Sequence, residues 1–138
     1  MSDFKKLLVW QKAHSLALTV DRVSRKIRDP RYVSLRSQIF RAASSIPANI
    51  AEGRRQESEK EFARFLRYAL NSASELEYHT ILGRDTKAIP EEDCISMLDQ
   101  TITVRKMLYA LLKRLSSDSG QAPQRPQPTA GPPTAPGR

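Results

Sequence analysis

Between residues 4 and 115, apolar side chains recur at three- and four-residue spacing in four runs, and no run alternates over the length a strand needs. That period places the apolar groups along one face of a helix, so the chain must bury four such faces against one another. The first run covers 7–28, with Leu16, Val20, Val23 and Ile27 on one face. Asp29 and Pro30 then supply an N-cap and a first-position proline for a second helix. Its stripe is Leu35, Ile39, Ala43, Ile46 and Ile50, and Gly53 suits its C-terminus. Ser58 and Glu61 form a capping box that opens a third helix. It runs through Phe62, Phe65, Leu66, Ala69, Ala73 and Leu76 and ends near Gly83. Pro90-Glu91-Glu92-Asp93 starts a fourth, with negative charge at the positive end of the helix dipole. Leu98, Ile102, Val104, Leu108, Leu111, Leu112 and Leu115 follow.

Helices of about 20–26 residues joined by short loops predict an all-α fold over residues 1–115: an antiparallel up-down-up-down four-helix bundle, about 30–39 Å long. Residues 116–138 differ in kind. Six of the nine prolines lie at or beyond Pro123, and large apolar side chains are almost absent there. Such a segment buries too little surface to offset its ordering entropy, and it reads as a disordered Pro-rich tail.

The stretch AASSIPANIAEG, residues 42–53, interrupts this simple scheme. Pro47 falls in the middle of the second helix, where a proline removes a backbone donor, clashes with the carbonyl of Ala43 and costs roughly 3 kcal/mol. The apolar stripe nevertheless passes through Pro47 without a slip, which predicts one kinked helix rather than two. A second stripe runs one step round from it: Gln38, Ala42, Ser45, Asn49 and Glu52, at spacing 4, 3, 4, 3. Apart from Ala42 it is polar, and its side chains stay uncharged until Glu52. Two readings fit. Ser45, Asn49 and Glu52 satisfy local backbone groups near the proline; or the stripe is a seam against another helix, in this bundle or in a neighbouring subunit. On the second reading Gln38, Ala42, Ser45, Pro47, Asn49, Glu52 and Gly53 belong to an oligomer interface, with Trp10 as an aromatic anchor and Phe40 in the core.

Charge is one-sided along the chain. Residues 1–55 carry 12 basic and 4 acidic side chains, whereas residues 56–115 carry 9 and 10; the whole chain is at +8. A concentrated basic surface serves either to keep the protein soluble or to bind a polyanion, nucleic acid first. Candidate phosphate contacts are Arg22, Arg25, Lys26 and Arg28 at the end of the first helix, with Arg36, Arg41, Arg54 and Arg55 on or just beyond the second. Lys60, Arg64 and Arg67 on the third helix have Glu57 and Glu61 one turn away to pair with.

Catalytic and metal constellations are missing from the sequence. The lone cysteine, Cys94, excludes an internal disulfide and a CxxC site, and its place in an apolar helix reads as a buried, inert thiol. His14 and His79 lack the Glu-x-x-His spacing of di-iron bundles. No Gly-rich phosphate loop, GxSxG or HExxH occurs. The reading is therefore a protein that is not an enzyme, with no cofactor, no metal and no small-molecule substrate. The N-terminal MSDFKKLLVWQKAHS breaks its apolar run at Gln11 and Lys12, which predicts neither a signal peptide nor a membrane span, and a cytoplasmic location.

Three segments carry a resemblance: FKKLLVWQKA at the start, LRSQIFRAASSIPANIAEG in the second helix and EFARFLRYALNSASELE in the third. They resemble the small bacterial four-helix-bundle family encoded in intervening sequences of 23S ribosomal RNA genes, over nearly all of residues 4–115. Gln38, Arg41, Ala42, Ser45, Pro47, Asn49, Glu52 and Gly53 fall on that family's pattern. Two features depart from it: Ser34 stands where family members often have glycine, after a shorter turn, and the Pro-rich tail lies outside it. The resemblance implies an antiparallel bundle assembled as a homopentamer. More distantly, the chain is similar to the accessory variability protein of diversity-generating retroelements, which implies nucleic acid and a reverse transcriptase as partners. The functional expectation is an oligomeric accessory protein that binds RNA or DNA, or alternatively a scaffold for a protein such as a reverse transcriptase or a ribosome-associated factor.

Overall fold

The computed structural model describes residues 3–118. A 3-10 turn at Phe4–Lys6 leads into α1 (Leu8–Ser24), and a second at Pro30–Tyr32 leads into α2 (Val33–Arg54). Then come α3 (Glu59–Asp85) and α4 (Glu91–Asp118), and no strand occurs among the described residues. α1 packs against α2 and α4, and α3 packs against the same two; diagonal helices make no close approach among the described residues. The order round the bundle is therefore the order along the chain, as short connections between antiparallel helices require. The Pro-rich tail from 119 onward lies outside the described residues, while 116–118, assigned to it from composition, belong to α4.

The apolar stripes meet in one core. Leu16, Val20 and Val23 of α1, Ile39, Ala43, Ile46 and Ile50 of α2, and Leu66, Ala69, Ala73 and Leu76 of α3 are all fully or almost fully buried. α4 departs from expectation. Its buried line is Cys94, Met97, Thr101, Val104 and Leu108, while Leu98 and Ile102 are only half-buried. Thr101 is polar, but its hydroxyl donates to the Met97 carbonyl at 2.6 Å. The hydroxyl is thereby satisfied within the helix and the residue is able to sit in the core. Thr80 of α3 does the same, donating to the Leu76 carbonyl at 2.7 Å. Phe40, expected in the core, is 45% exposed. It lies 100° round the helix from Ile39, which carries it off the inward face.

Helix ends follow the local chemistry. α1 stops at Ser24, four residues short of the expected end, so Arg25, Lys26 and Arg28 lie just after the helix. Asp29 precedes Pro30 and is extended, as a residue before proline is driven to be. Asp29 accepts from the Arg31 N–H and so caps the 3-10 turn, and α2 begins only at Val33. Ser58 Oγ accepts from the Glu61 N–H at 3.1 Å, half of the expected capping box. The Glu61 carboxylate instead pairs with Arg64 at 2.7 Å. α2 runs unbroken through Pro47, so the two-helix alternative is excluded.

Gly53 plays a different part from the terminal one expected of it. It is buried in the last turn of α2, and α2 closes on Arg55 in a right-handed conformation. A Cβ placed on Gly53 would lie 2.8 Å from Cβ of Phe65 and 2.9 Å from Cδ1 of Phe62. Glycine is there for close approach to α3. Gly53→Ala is expected to destabilise the bundle by about 1–2 kcal/mol, because overpacking outweighs the ~1 kcal/mol alanine gains in helix propensity. Urea unfolding measures it, and a more stable variant would contradict the packing argument. Cys94 is fully buried, and its thiol lies near the carbonyls of Ile89 and Thr80. Desolvation pushes the thiol up from its ordinary value. Alkylation by iodoacetamide at pH 8 is expected only on unfolding, which mass spectrometry along a urea series checks.

Candidate functional site

α2 presents three faces, and each meets something different. The inward face is the core. The polar stripe meets α3 of the same chain. Ser45 Oγ lies 2.8 Å from Ser72 Oγ across the helix pair. Asn49 Nδ2 donates to the Ser45 carbonyl at 2.8 Å and to Ser45 Oγ at 3.0 Å. Since Ser45 Oγ accepts from Asn49, its own proton is free to bridge to Ser72. Ala42 and Gly53, on the same side, are buried. Both sequence readings are thus realised at once, as local satisfaction by Asn49 and as a seam at Ser45. The seam's partner at Ser45 is Ser72 of α3 in the same chain. Glu52, at the end of the stripe, is exposed and faces Arg55 and Gln56, with Arg55 Nη1 at 3.9 Å. Gln38, near the other end, is half-buried.

The third face of α2 forms one wall of a groove beside α1, with a volume of about 560 Å³. Phe40, Ser44, Pro47, Ala48 and Ala51 line it from α2, and Trp10, His14, Ala17 and Leu18 from α1. Its lining mixes small side chains with the large rings of Trp10 and Phe40. Trp10 stacks on His14 with ring centroids 4.9 Å apart, and Phe4 meets Trp10 edge-on at 5.2 Å. Leu18 is 55% exposed. Of the anchors expected from sequence, Trp10 and Pro47 are in this groove, while Ser45 and Asn49 are on the opposite flank of α2. Phe40, His14 and Leu18 were missed as groove residues. Their signal was present: Phe40, Ser44, Pro47 and Ala51 follow one another at spacing 4, 3, 4.

The eight basic candidates do not form one patch. Arg36 and Arg54 stand at opposite ends of α2, about 27 Å apart at 1.5 Å per residue. At the Arg54 end the charges are engaged locally: Arg54 lies over the Phe62 ring and Arg55 over Phe4. At the Arg36 end, Arg25 pairs with Asp21 at 2.8 Å and Lys26 with Asp93 of α4 at 2.9 Å. Arg36 Nη1 donates to the Ile27 carbonyl at 3.4 Å. Arg22, Arg28 and Arg41 are exposed and make no ion pair among the described residues. Of the third-helix cations, Arg64 takes the expected pairing with Glu61, whereas Lys60 and Arg67 are exposed and make no ion pair among the described residues.

Among the described residues no three His, Cys, Asp or Glu side chains converge as a metal site, and no helix is long and apolar enough to cross a membrane. For the seam, Ser45→Ala and Ser72→Ala should each cost about 1 kcal/mol, and the double variant less than their sum, because they share one hydrogen bond. A double-mutant cycle in urea decides it; strict additivity would exclude the bond.

No curated protein matches the chain. Among solved structures, one similar to it is a protein of unknown function from the S23 ribosomal protein family of Bacteroides thetaiotaomicron. That structure is 27% identical, with a TM-score of 0.73, and the match covers 77% of this chain and 99% of that one. The family model for the 23S rRNA-intervening sequence protein matches residues 5–110. With the bundle as its fold and most of its length matched, the chain belongs to the 23S rRNA-intervening sequence protein family.

Proposed function

We propose that the protein is a non-enzymatic homo-oligomer that binds RNA or DNA as an accessory factor. The observation that carries the reading is the trio Arg22, Arg28 and Arg41: exposed guanidiniums with no ion-pair partner among the described residues. A guanidinium left unneutralised in this way is available to a phosphate, which it matches in a planar, two-bond geometry. One copy offers few such contacts. Several copies held together multiply them, because each further contact becomes intramolecular. The groove beside Trp10 supplies a surface for a second copy, being apolar, open and continuous with exposed Leu18 and Phe40. The resemblance to a pentameric family makes five the expected number.

Binding of a single-stranded RNA and a DNA of the same sequence across a salt series tests the first part. Affinity should fall linearly with salt on logarithmic axes, and Arg22→Gln or Arg41→Gln should each lower the slope by about one. Absence of salt-sensitive binding at low ionic strength would overturn the reading. Sedimentation tests the second part: the wild type should run as a multiple of the 15.6 kDa chain. Phe40→Glu should reduce that mass with helix content unchanged, and a wild-type mass of one chain would exclude the oligomer. The same groove also favours a second reading, a scaffold for a protein such as a reverse transcriptase. Recovery of that partner after nuclease treatment would select it.

A further inference from the structure

The connection between α1 and α2 borders a half-open cavity of about 310 Å³ lined by Ile27, Arg28, Asp29, Pro30, Val33 and Arg36. Its charges are unequal. Asp29 is committed to Arg31, with one carboxylate oxygen accepting from the Arg31 N–H and the other from Nη2, both at 2.9 Å. Those bonds hold its carboxyl below the usual range, so it stays ionised and matched. Arg28 and Arg36 are left to define the field of the cavity. Arg36 is oriented by the Ile27 carbonyl through Nη1, which leaves most of its five N–H donors unspent. Arg28 makes no ion pair among the described residues. The rest of the wall is apolar: Ile27 is buried, and Val33 is 55% exposed at the rim beside Pro30.

We propose that this cavity seats one nucleotide unit of a single strand, with its phosphate held by Arg28 and Arg36 and its sugar and base against Pro30 and Val33. Two forked guanidiniums suit the oxygens of a phosphate. An apolar shelf beside them suits the flat face of a base. The volume is at the lower end of ligand pockets, enough for one nucleotide. A nucleotide is favoured over a phosphorylated side chain because the apolar shelf of Pro30 and Val33 beside the arginines suits the face of a base. The inference deepens the proposed function and rests on it for the strand, but not for the phosphate.

The experiment uses the full chain with its arginine Nε–H groups observed by NMR. The probes are inorganic phosphate, adenosine 5′-monophosphate and adenosine, in separate titrations. The Arg28 and Arg36 signals should shift with the monophosphate, less with phosphate and not with adenosine. Arg28→Gln should weaken the monophosphate at least tenfold, and Lys113→Gln on α4 should not. Because Arg36 also steadies the turn, Val33→Asp serves as a second variant, and it should remove the preference for the monophosphate over phosphate. Unmoved Arg28 and Arg36 signals, unchanged affinity in Arg28→Gln, or tighter binding of a phosphoserine peptide would overturn the proposal. Monophosphate binding without oligonucleotide binding would refute the proposed function and leave the cavity standing. Oligonucleotide binding whose salt slope ignores Arg28→Gln and Val33→Asp would refute the cavity and leave the function standing.

Discussion

Between Gly53 and the rings of Phe62 and Phe65 there is no room for a methyl group. That contact, with the Ser45–Ser72 hydrogen bond and buried Ala42 further along, draws α2 close against α3. The rest of the bundle follows from it. A short four-residue connection at 55–58 becomes possible because the two helices are already in contact where it leaves and enters. The seam also selects which side of α2 is left for α1. Polar groups on it are satisfied by each other, so burying them carries no unpaired donor or acceptor. A branched apolar side chain at Ser45 or Gly53 would separate the helices and open the core along their length.

Pro47 is tolerated for a related reason. It stands on the flank of α2 that faces the groove, away from both the core line and the seam. The backbone bond it deletes, to the Ala43 carbonyl, lies within a helix held on two sides by tertiary contacts. Its neighbours on that flank are Ser44, Ala48 and Ala51, and Ala17 opposes them from α1. Small residues on facing helices leave space that the larger Trp10 and Phe40 border. The groove is therefore a consequence of side-chain size, where the seam is a consequence of hydrogen bonding.

Electrostatics separates along the long axis. A chain whose excess positive charge is in its first 55 residues does not thereby have one basic surface. α2 carries the charge from one end of the bundle to the other. At the Gly53 end the arginines lie over aromatic rings, and at the connection between α1 and α2 they stand around a cavity or reach solvent. The acidic first turn of α4 takes up part of the charge there through Lys26 and Asp93. Arg22, Arg28 and Arg41 make no ion pair among the described residues.

The four helices, the core lines of α1, α2 and α3, and the passage of one helix through Pro47 were legible in the sequence, because apolar period and capping chemistry act over a few residues. The family pattern was legible in AASSIPANIAEG for the same reason. Where a residue's role depends on what stands opposite, one helix at a time did not suffice. Thr101 and Thr80 entered the core because their hydroxyls bond back to the helix, and a scale of polarity does not see that. Phe40 left the core although its chemistry suits it, because 100° of rotation decides burial. Gly53 looked like a helix terminator until Phe65 was opposite it, and the polar stripe had a periodicity but no partner until Ser72 met it. The sequence by itself determined that α2 has several distinct faces, since a helix maps spacing onto direction. Only the tertiary structure decided which face meets α3, which lines the groove beside α1 and which arginines make no ion pair among the described residues, since those depend on distances between segments far apart in the chain.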